Sequence, residues 1–278
     1  MKFIFFDIDG TLTGKSRQVT PKTVEAIRQA RANGNKVFLC TGRAPVSIMK
    51  SIRNIGFDGV ISSAGSFIEI DGQYICENFI NQYLLQEVIL LFTNANVLYT
   101  LETKDCLYQS PGVLEFFNKR HKRDSQNNPE LARFLEARQK EEVRKPVSQF
   151  DIGHHKVAKV VFIAKDKYAF LDTVPYLSEF FNVVTFSQYN DDFINGEIII
   201  KNRTKADALK EVVEYYHGDM KDTIAFGDSM NDYQMLEAVN YGVVYEGASD
   251  KVKAVANDTF IDPDQDGIAL SLKKLNII

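Results

Sequence analysis

Two aspartates two residues apart, Asp7 and Asp9, close the apolar run Phe3-Ile4-Phe5-Phe6 and are followed by Gly10-Thr11-Leu12. Carboxylates so placed at a strand's end can hold a divalent cation; the first can also attack an electrophile while the second, turned by the Gly-Thr bend, moves a proton. Turns and calcium loops use the same short pattern. The calcium reading fails on counting: with Asp7 as the first loop position, Leu12 stands where the sharp-turn glycine belongs and Gln18 where the bidentate glutamate belongs. Three further groups have suitable types. Thr41-Gly42-Arg43 offers a hydroxyl and free backbone amides ahead of a helix, which makes a phosphate-oxygen site. Lys205 opens a helix, where its ammonium can offset negative charge as a compact point charge. Gly227-Asp228-Ser229-Met230-Asn231-Asp232 adds two acids at a four-residue spacing, Asp228 at a strand end and Asp232 on the first helical turn behind it. Each group alone is ordinary: a threonine before glycine is a cap, a lysine at a helix start is solvated, and Gly-Asp-Ser is a turn. Their order, each near a strand end of one alternating domain, is what points to a shared site.

The elements that must position them alternate strand and helix. Lys2 to Phe6 reads as strand, Pro21 to Asn33 as helix, Lys36 to Cys40 as strand, Pro45 to Asn54 as helix and Val60 to Ser62 as strand. Thr20 and Pro21 are good helix-start signals and Gly34 is a stop. Asp71-Gly72 between Ser66–Ile70 and Gln73–Glu77 is the strongest short hairpin signal in the chain. From about Asn81 the texture changes to amphipathic stretches at Leu84 to Phe92, Val113 to Lys119 and Pro129 to Val143, interleaved with strand-like runs at Val97 to Leu101 and Val157 to Ala164. Alternation resumes after Tyr189 to Ile194: strand Glu197 to Lys201, helix Lys205 to Tyr216, strand Thr223 to Phe226, helix Asn231 to Val239, strand Gly242 to Tyr245, helix Ser249 to Ala256 and a last helix from Asp266. The expected fold is α/β: a doubly wound, Rossmann-like parallel-sheet core from residues 1–81 plus 190–278, interrupted by an inserted α+β cap over 82–189. Ligands of such sheets bind at the carboxyl ends of the strands, where all four groups lie.

At 278 residues the chain has ample sequence for one large or two moderate domains. A net charge of -4 gives no reason to expect nucleic acid or an anionic membrane as partner. Cys40, Cys76 and Cys106 fit no metal-ligand spacing and suit free thiols in a reducing cytosol. The short apolar start runs into two aspartates without a small-residue cleavage site, and no apolar run approaches the roughly 20 residues of a membrane helix. A cytoplasmic location is expected.

The four groups together resemble the motifs of the haloacid dehalogenase superfamily of phosphotransferases, and the insertion between the second and third resembles the large α/β cap of its Cof-type branch. Ala256-Asn257-Asp258 and Asp266-Gly267-Ile268-Ala269 are similar to that branch's closing pattern. The resemblance spans the core, whereas the cap matches in placement and length only. Two departures stand out: Ala64-Gly65-Ser66 where the family commonly has Asn-Gly-Ala, and Ala206 where a glycine usually follows the lysine. The resemblance implies a magnesium-dependent phosphatase of small phosphorylated metabolites, sugar phosphates first and phosphorylated cofactors such as pyridoxal phosphate or flavin mononucleotide next, working through a phosphoaspartyl intermediate. Asp7 would be the nucleophile, and Mg2+ would be held by the Asp7 and Asp228 carboxylates and the Asp9 backbone carbonyl. Hard oxygen ligands favour magnesium over zinc. Asp9 would carry the proton, with a raised pKa expected from that role. Thr41 and Lys205 would orient and stabilise the phosphoryl group, with Gly42 and Asn231 as further phosphate-site residues and Asp232 acting through a metal-bound water. The cap would close over the site and choose the substrate. A phosphomutase using the same aspartyl chemistry, and a non-hydrolytic phospho-acceptor or ligand-binding regulator, remain open alternatives.

Three other features have plain readings. Asp262 to Gly267 matches the first half of a calcium loop, but position twelve is Lys273, so a loop and cap before the last helix is expected. Adjacent His154 and His155 would point to opposite faces of a strand, with no third metal ligand evident. Lys119-Arg120-His121-Lys122-Arg123 reads as a solvated helix face, or as a patch that recruits an anionic substrate.

Overall fold

Phe3 to Phe6 is apolar at every position because both faces of the strand are covered. Ile4 and Phe6 join Ala26, Ile27 and Ala30 of the helix Pro21–Ala32 and Ile268 and Leu272 of the helix Gly267–Lys274. Phe3 and Phe5 join Ala208, Leu209 and Val212 of the helix Lys205–Tyr215 and Met235 and Leu236 of Tyr233–Ala238. The period of two along the strand therefore sends alternate side chains into two cores, one on each face of a sheet.

The structure, a computed structural model, describes residues 1–125, 140–185 and 192–278. In order, its strands are β1 (Phe3–Phe6), β2 (Lys36–Cys40), β3 (Gly59–Ser62), β4 (Phe67–Ile70), β5 (Gln73–Glu77), β6 (Leu98–Glu102), β7 (Leu107–Gln109), β8 (Arg144–Pro146), β9 (Lys159–Ala164), β10 (Phe181–Thr185), β11 (Ile194–Ile200), β12 (Thr223–Gly227), β13 (Tyr241–Tyr245) and β14 (Asp258–Phe260). Among the described residues they form an eight-stranded sheet, β14-β13-β12-β1-β2-β3-β4-β5, and a six-stranded sheet, β10-β11-β9-β6-β7-β8. From β14 to β3 the first sheet is parallel, and β4 and β5 add an antiparallel hairpin. That hairpin turns at Asp71-Gly72, both in the left-handed region with φ 49° and 77°. The order reverses between β1 and β12, which pair with Phe6 opposite Phe226. Such a switch point leaves a crevice beyond the carboxyl ends of the two strands.

The described residues make two compact units, one of Met1–Arg43, Ile48–Glu77 and Arg203–Ile278, the other of Ala44–Ser47 and Asn78–Asn202. The inserted unit has its own core, with Leu85, Val88 and Phe92 of the helix Gln82–Asn94 against Phe162, Phe170 and Leu177. Its boundary differs from the expectation. The run Glu197 to Lys201 does not return the chain to the first sheet: it lies in β11, antiparallel to β9 and β10, and the first unit resumes at Arg203. An apolar run such as Ile198-Ile199-Ile200 reads as buried strand whichever sheet receives it. The expected helix Pro45 to Asn54 also breaks, into a 3-10 turn Pro45–Ser47 and a short helix Lys50–Arg53, because Met49 between them is extended at ψ 143°. Most of the stretch Pro129 to Val143 lies outside the described residues, as does the end of the insertion around Tyr189.

The minor motifs divide. Pro263–Gln265 is a 3-10 turn in which Asp264 accepts from the Ser16 amide and hydroxyl, while Asp266 pairs with Lys22. His154 and His155 lie in a turn rather than a strand; His154 bonds Asp151, and His155 stacks on Phe150. Of the basic cluster, Lys119 pairs with Glu115 one turn back, and the side chains of residues 120–123 lie outside those described. Among the described residues no helix is long and apolar enough to cross a membrane.

Candidate active site

Pairing of β1 with β12 runs one residue past the strand, the Asp7 amide donating to the Phe226 carbonyl at 3.0 Å, and this aims Asp7 into the switch-point crevice. The chain then closes a tight turn: the Leu12 and Thr13 amides and the Thr13 hydroxyl all converge on the Ile8 carbonyl, and the Gly10 amide donates to Thr13. Gly10 has φ 88°, and a Cβ there would collide with the Asp228 carboxylate, so only glycine lets the two loops approach.

Asp228 follows β12. Its amide, at 3.0 Å, and that of Ser229 donate to Asp232 Oδ2, which folds the loop back before the helix Tyr233–Ala238. The other oxygen, Oδ1, accepts from Lys205 Nζ at 2.6 Å. The same ammonium donates to Asp7 Oδ1 at 2.6 Å. Lys205 is presented by a capping box: Thr204 accepts from the Asp207 amide while Asp207 accepts from the Thr204 amide. Ala206, the departure from the family pattern, is the second residue of this helix and is buried.

Carboxylate oxygens of Asp7, Asp228 and Asp232 lie within 4.8 Å of one another with one ammonium among them, an excess of negative charge. The consequence is electrostatic. Burial lifts the Asp7 carboxyl to about 7, Lys205 opposing and Asp232 and Asp9 adding to the rise. Burial likewise lifts Asp228 to about 8, reinforced by Asp7 and Asp232. Burial works against the Lys205 charge, but Asp232 and Asp7 outweigh it and hold the ammonium's proton. Two carboxyls pushed up together mark a site short of positive charge, and a divalent cation corrects that. The donor set is oxygen alone. Burial pushes the nearby Cys40 thiol up, and Cys40 is not in the acid cluster. Hard oxygens of this kind fit Mg2+.

The remaining expected residues divide. Thr41 is buried, its amide donating to Ile61, its carbonyl accepting from Ala64 and its hydroxyl oxygen accepting from the Arg43 amide. Asn231 accepts from the Ser229 hydroxyl, and its Nδ2 lies 3.8 Å from where a Cβ on Gly42 would stand, so these two loops adjoin. Both Asp232 oxygens accept hydrogen bonds, one from Lys205 and one from the turn amides. The Asp9 carboxylate is not in the three-acid cluster. Arg43 grips it in a fork, Nε to Oδ2 and Nη2 to Oδ1 both at 2.7 Å, with Arg17 3.6 Å from Oδ1.

Two arginines beside Asp9, Arg43 and Arg17, have no task in the sequence reading. Arg43 stood within the Thr41-Gly42-Arg43 triplet but was given no task of its own; Arg17 reaches Asp9 from a loop position with φ 60°. Beside them, Ser63, Ala64 and Gly65 are successively left-handed, φ 47°, 55° and 107°, and the Ser63 amide donates to the Arg43 carbonyl at 2.7 Å. Ala64, the other departure, thus sits in a conformation that asparagine tolerates better than alanine.

The sequence profile of the haloacid dehalogenase-like hydrolases matches residues 4–272, the whole span from β1 to the last helix. The chain belongs to that family. Phosphatase YwpJ of Bacillus subtilis (strain 168) is 25% identical over 303 aligned positions, covering 99% of this chain and 100% of that one. Among solved structures, a haloacid dehalogenase-like hydrolase from B. subtilis superposes with a TM-score of 0.82 at 24% identity, covering 99% of this chain and 100% of that one. A sugar phosphatase of HAD subclass IIB superposes with a TM-score of 0.77 at 22% identity over the full length of both. This family member is accordingly an enzyme of the HAD phosphatase kind, built on a parallel-sheet α/β core.

Proposed function

We propose that this phosphatase hydrolyses small phosphorylated metabolites through a phosphoaspartyl enzyme, with Mg2+ as its cation. The observation that carries this reading is the position of Asp7, at the switch point with Lys205 on one oxygen and Asp228 beside it. Asp7 and Asp228 are the carboxylates that would hold Mg2+, with the Asp9 backbone carbonyl as a further ligand. When bound, the cation supplies charge neutralisation to the phosphoryl oxygens. A free Asp7 oxygen attacks phosphorus. Lys205 keeps the nucleophile oriented and stabilises charge on the transferring group. Thr41, Gly42 and Asn231 offer the hydroxyl, amide and carboxamide donors that orient phosphoryl oxygens. Asp9 gives its proton to the leaving alkoxide and takes one from the water that cleaves the phosphoaspartate.

The inserted unit is the expected source of substrate choice, and sugar phosphates are the first class to test because one fold relative is a sugar phosphatase by name. The experiment is a screen of phosphorylated metabolites for release of free phosphate with and without Mg2+, with Asp7→Asn as control. Asp7→Asn should lose at least about a thousandfold in kcat, as removal of a nucleophile does. Turnover unchanged in that variant would sink the covalent mechanism.

A further inference from the structure

The fork between Arg43 and Asp9 is unlike the other arginine contacts of the first unit in what it grips. Asp9 is the group on which proton transfer depends, and its side chain is 43% exposed while that of Arg43 is 7% exposed. The buried partner is therefore the arginine, and the carboxylate is the more exposed one. Arg43 is itself held at both ends of its backbone, its amide on the Thr41 hydroxyl at 3.2 Å and its carbonyl on the Ser63 amide at 2.7 Å. Those anchors are a phosphate-site loop and a loop of three left-handed residues, which ties the guanidinium's position to the carboxyl ends of β2 and β3. An exposed aspartate two residues beyond the nucleophile has several rotamers open to it, and a planar fork selects one.

We infer that Arg43 is a positioning residue for Asp9, acting on catalysis through that carboxylate; the inference rests on Asp9 being the proton carrier. The fork does different work in the two half-reactions. In the first, the Asp7–phosphorus bond forms, the phosphorus–alkoxide bond breaks with its electron pair on the leaving oxygen, and that oxygen takes the proton from Asp9. A protonated carboxyl can keep one oxygen on the guanidinium while the other donates, so one of the two bonds opens and the other keeps the group from swinging away. In the second, ionised Asp9 accepts a proton from the attacking water as the Asp7–phosphorus bond breaks. Between the two steps the ionised carboxylate takes both bonds to Arg43, and one of them opens again as the proton arrives. Arg17, more exposed and at longer range, supplements the charge without fixing the plane.

The test compares two esters with the full-length, Mg2+-loaded enzyme: an alkyl phosphate that the wild type turns over, whose leaving oxygen needs a proton, and p-nitrophenyl phosphate, whose leaving group departs without one. Asp9→Asn should lose about a hundredfold or more in kcat/KM, which reports the first half-reaction alone, on the alkyl ester relative to the aryl ester, the scale of general acid catalysis. Arg43→Gln should show the same selectivity, losing at least about tenfold more in kcat/KM on the alkyl ester than on the aryl ester. Arg43→Lys keeps the charge without the fork and should behave like Arg43→Gln; it also serves if the glutamine variant fails to fold. In an Asp9→Asn background, Arg43→Gln should add nothing, because residues acting as one unit are not additive. Equal losses on both esters, full activity in Arg43→Lys, or losses that multiply in the double variant would each overturn the inference. Selective loss in Asp9→Asn without it in either Arg43 variant rejects the positioning role alone. If Asp9→Asn shows no selectivity, the proton-carrier reading falls, and this inference with it.

Discussion

Asp7 and Asp228 make the stability of this protein depend on pH in a way that reports the cation. In the unfolded chain both titrate near 3.8, whereas the folded values are about 7 and about 8. Between these limits the folded protein keeps protons that the unfolded chain has lost, so raising the pH favours unfolding. The stabilisation is complete below about pH 4 and gone above about pH 8. Without metal, Tm should fall from about pH 5 to about pH 8.5, and Mg2+ should raise Tm more at the higher value, where both carboxyls are ionised to receive it. Thermal unfolding at the two pH values, with and without Mg2+, checks this; an equal Mg2+ effect at both would exclude these carboxyls as ligands. At this scale the residue types were legible, since acids and hydroxyl stand beside recognisable strand ends and the lysine opens a recognisable helix. The partner of each was not. Lys205 and Asp7 lie 198 positions apart and meet at 2.6 Å, a contact that no local spacing encodes.

Two short elements set the geometry of those side chains. Gly10 permits the loop after β1 to lie against Asp228, with both its positive φ and the space beside it forbidding a larger residue. Gly10→Ala should destabilise the protein by about 1–3 kcal/mol, the scale of an imposed strained backbone, and should also weaken Mg2+ binding. Calorimetric titration with Mg2+ separates the two effects, and an unaltered affinity would show that Asp228 is placed without the glycine's help. Thr204 starts the helix that delivers Lys205. Thr204→Ala should cost about 1 kcal/mol, the usual loss for an N-cap, and lower kcat as Lys205 loses its register; Thr204→Ser should restore both. If kcat is unchanged while stability falls, the cap supports the helix without orienting the lysine.

At the scale of the molecule, the two units differ in how the chain builds them. The inserted unit is mostly one continuous stretch, Asn78–Asn202, with its own sheet and core, whereas the first unit is assembled from both ends of the chain. Each has the buried apolar cluster that an independent domain needs. A protein in which a short Gly/Ser linker replaces residues 78–202 should therefore still fold and show a Mg2+-dependent rise in Tm, because Asp7, Asp228, Asp232 and Lys205 all remain. Loss of the cooperative unfolding transition in that protein would mean that the first unit requires the insertion to fold.

The alternating apolar strands and capped helices were readable along the chain because periodicity and capping are local properties. Thr20, Thr204 and the Asp71-Gly72 turn each act within a few residues of themselves. Membership of the second sheet was not readable for Ile194–Ile200, because a buried strand is equally apolar in any sheet and only its partners β9 and β10 decide. The four motif groups likewise announced acid, hydroxyl and base chemistry. Folding alone decided which of them share charge: Asp7 and Asp232 on Lys205, and Asp9 drawn off to Arg43. Pairwise attraction weakens as charges separate, and the contacts at 2.6–2.7 Å between residues 27 to 198 positions apart exist only once the fold has brought these loops together.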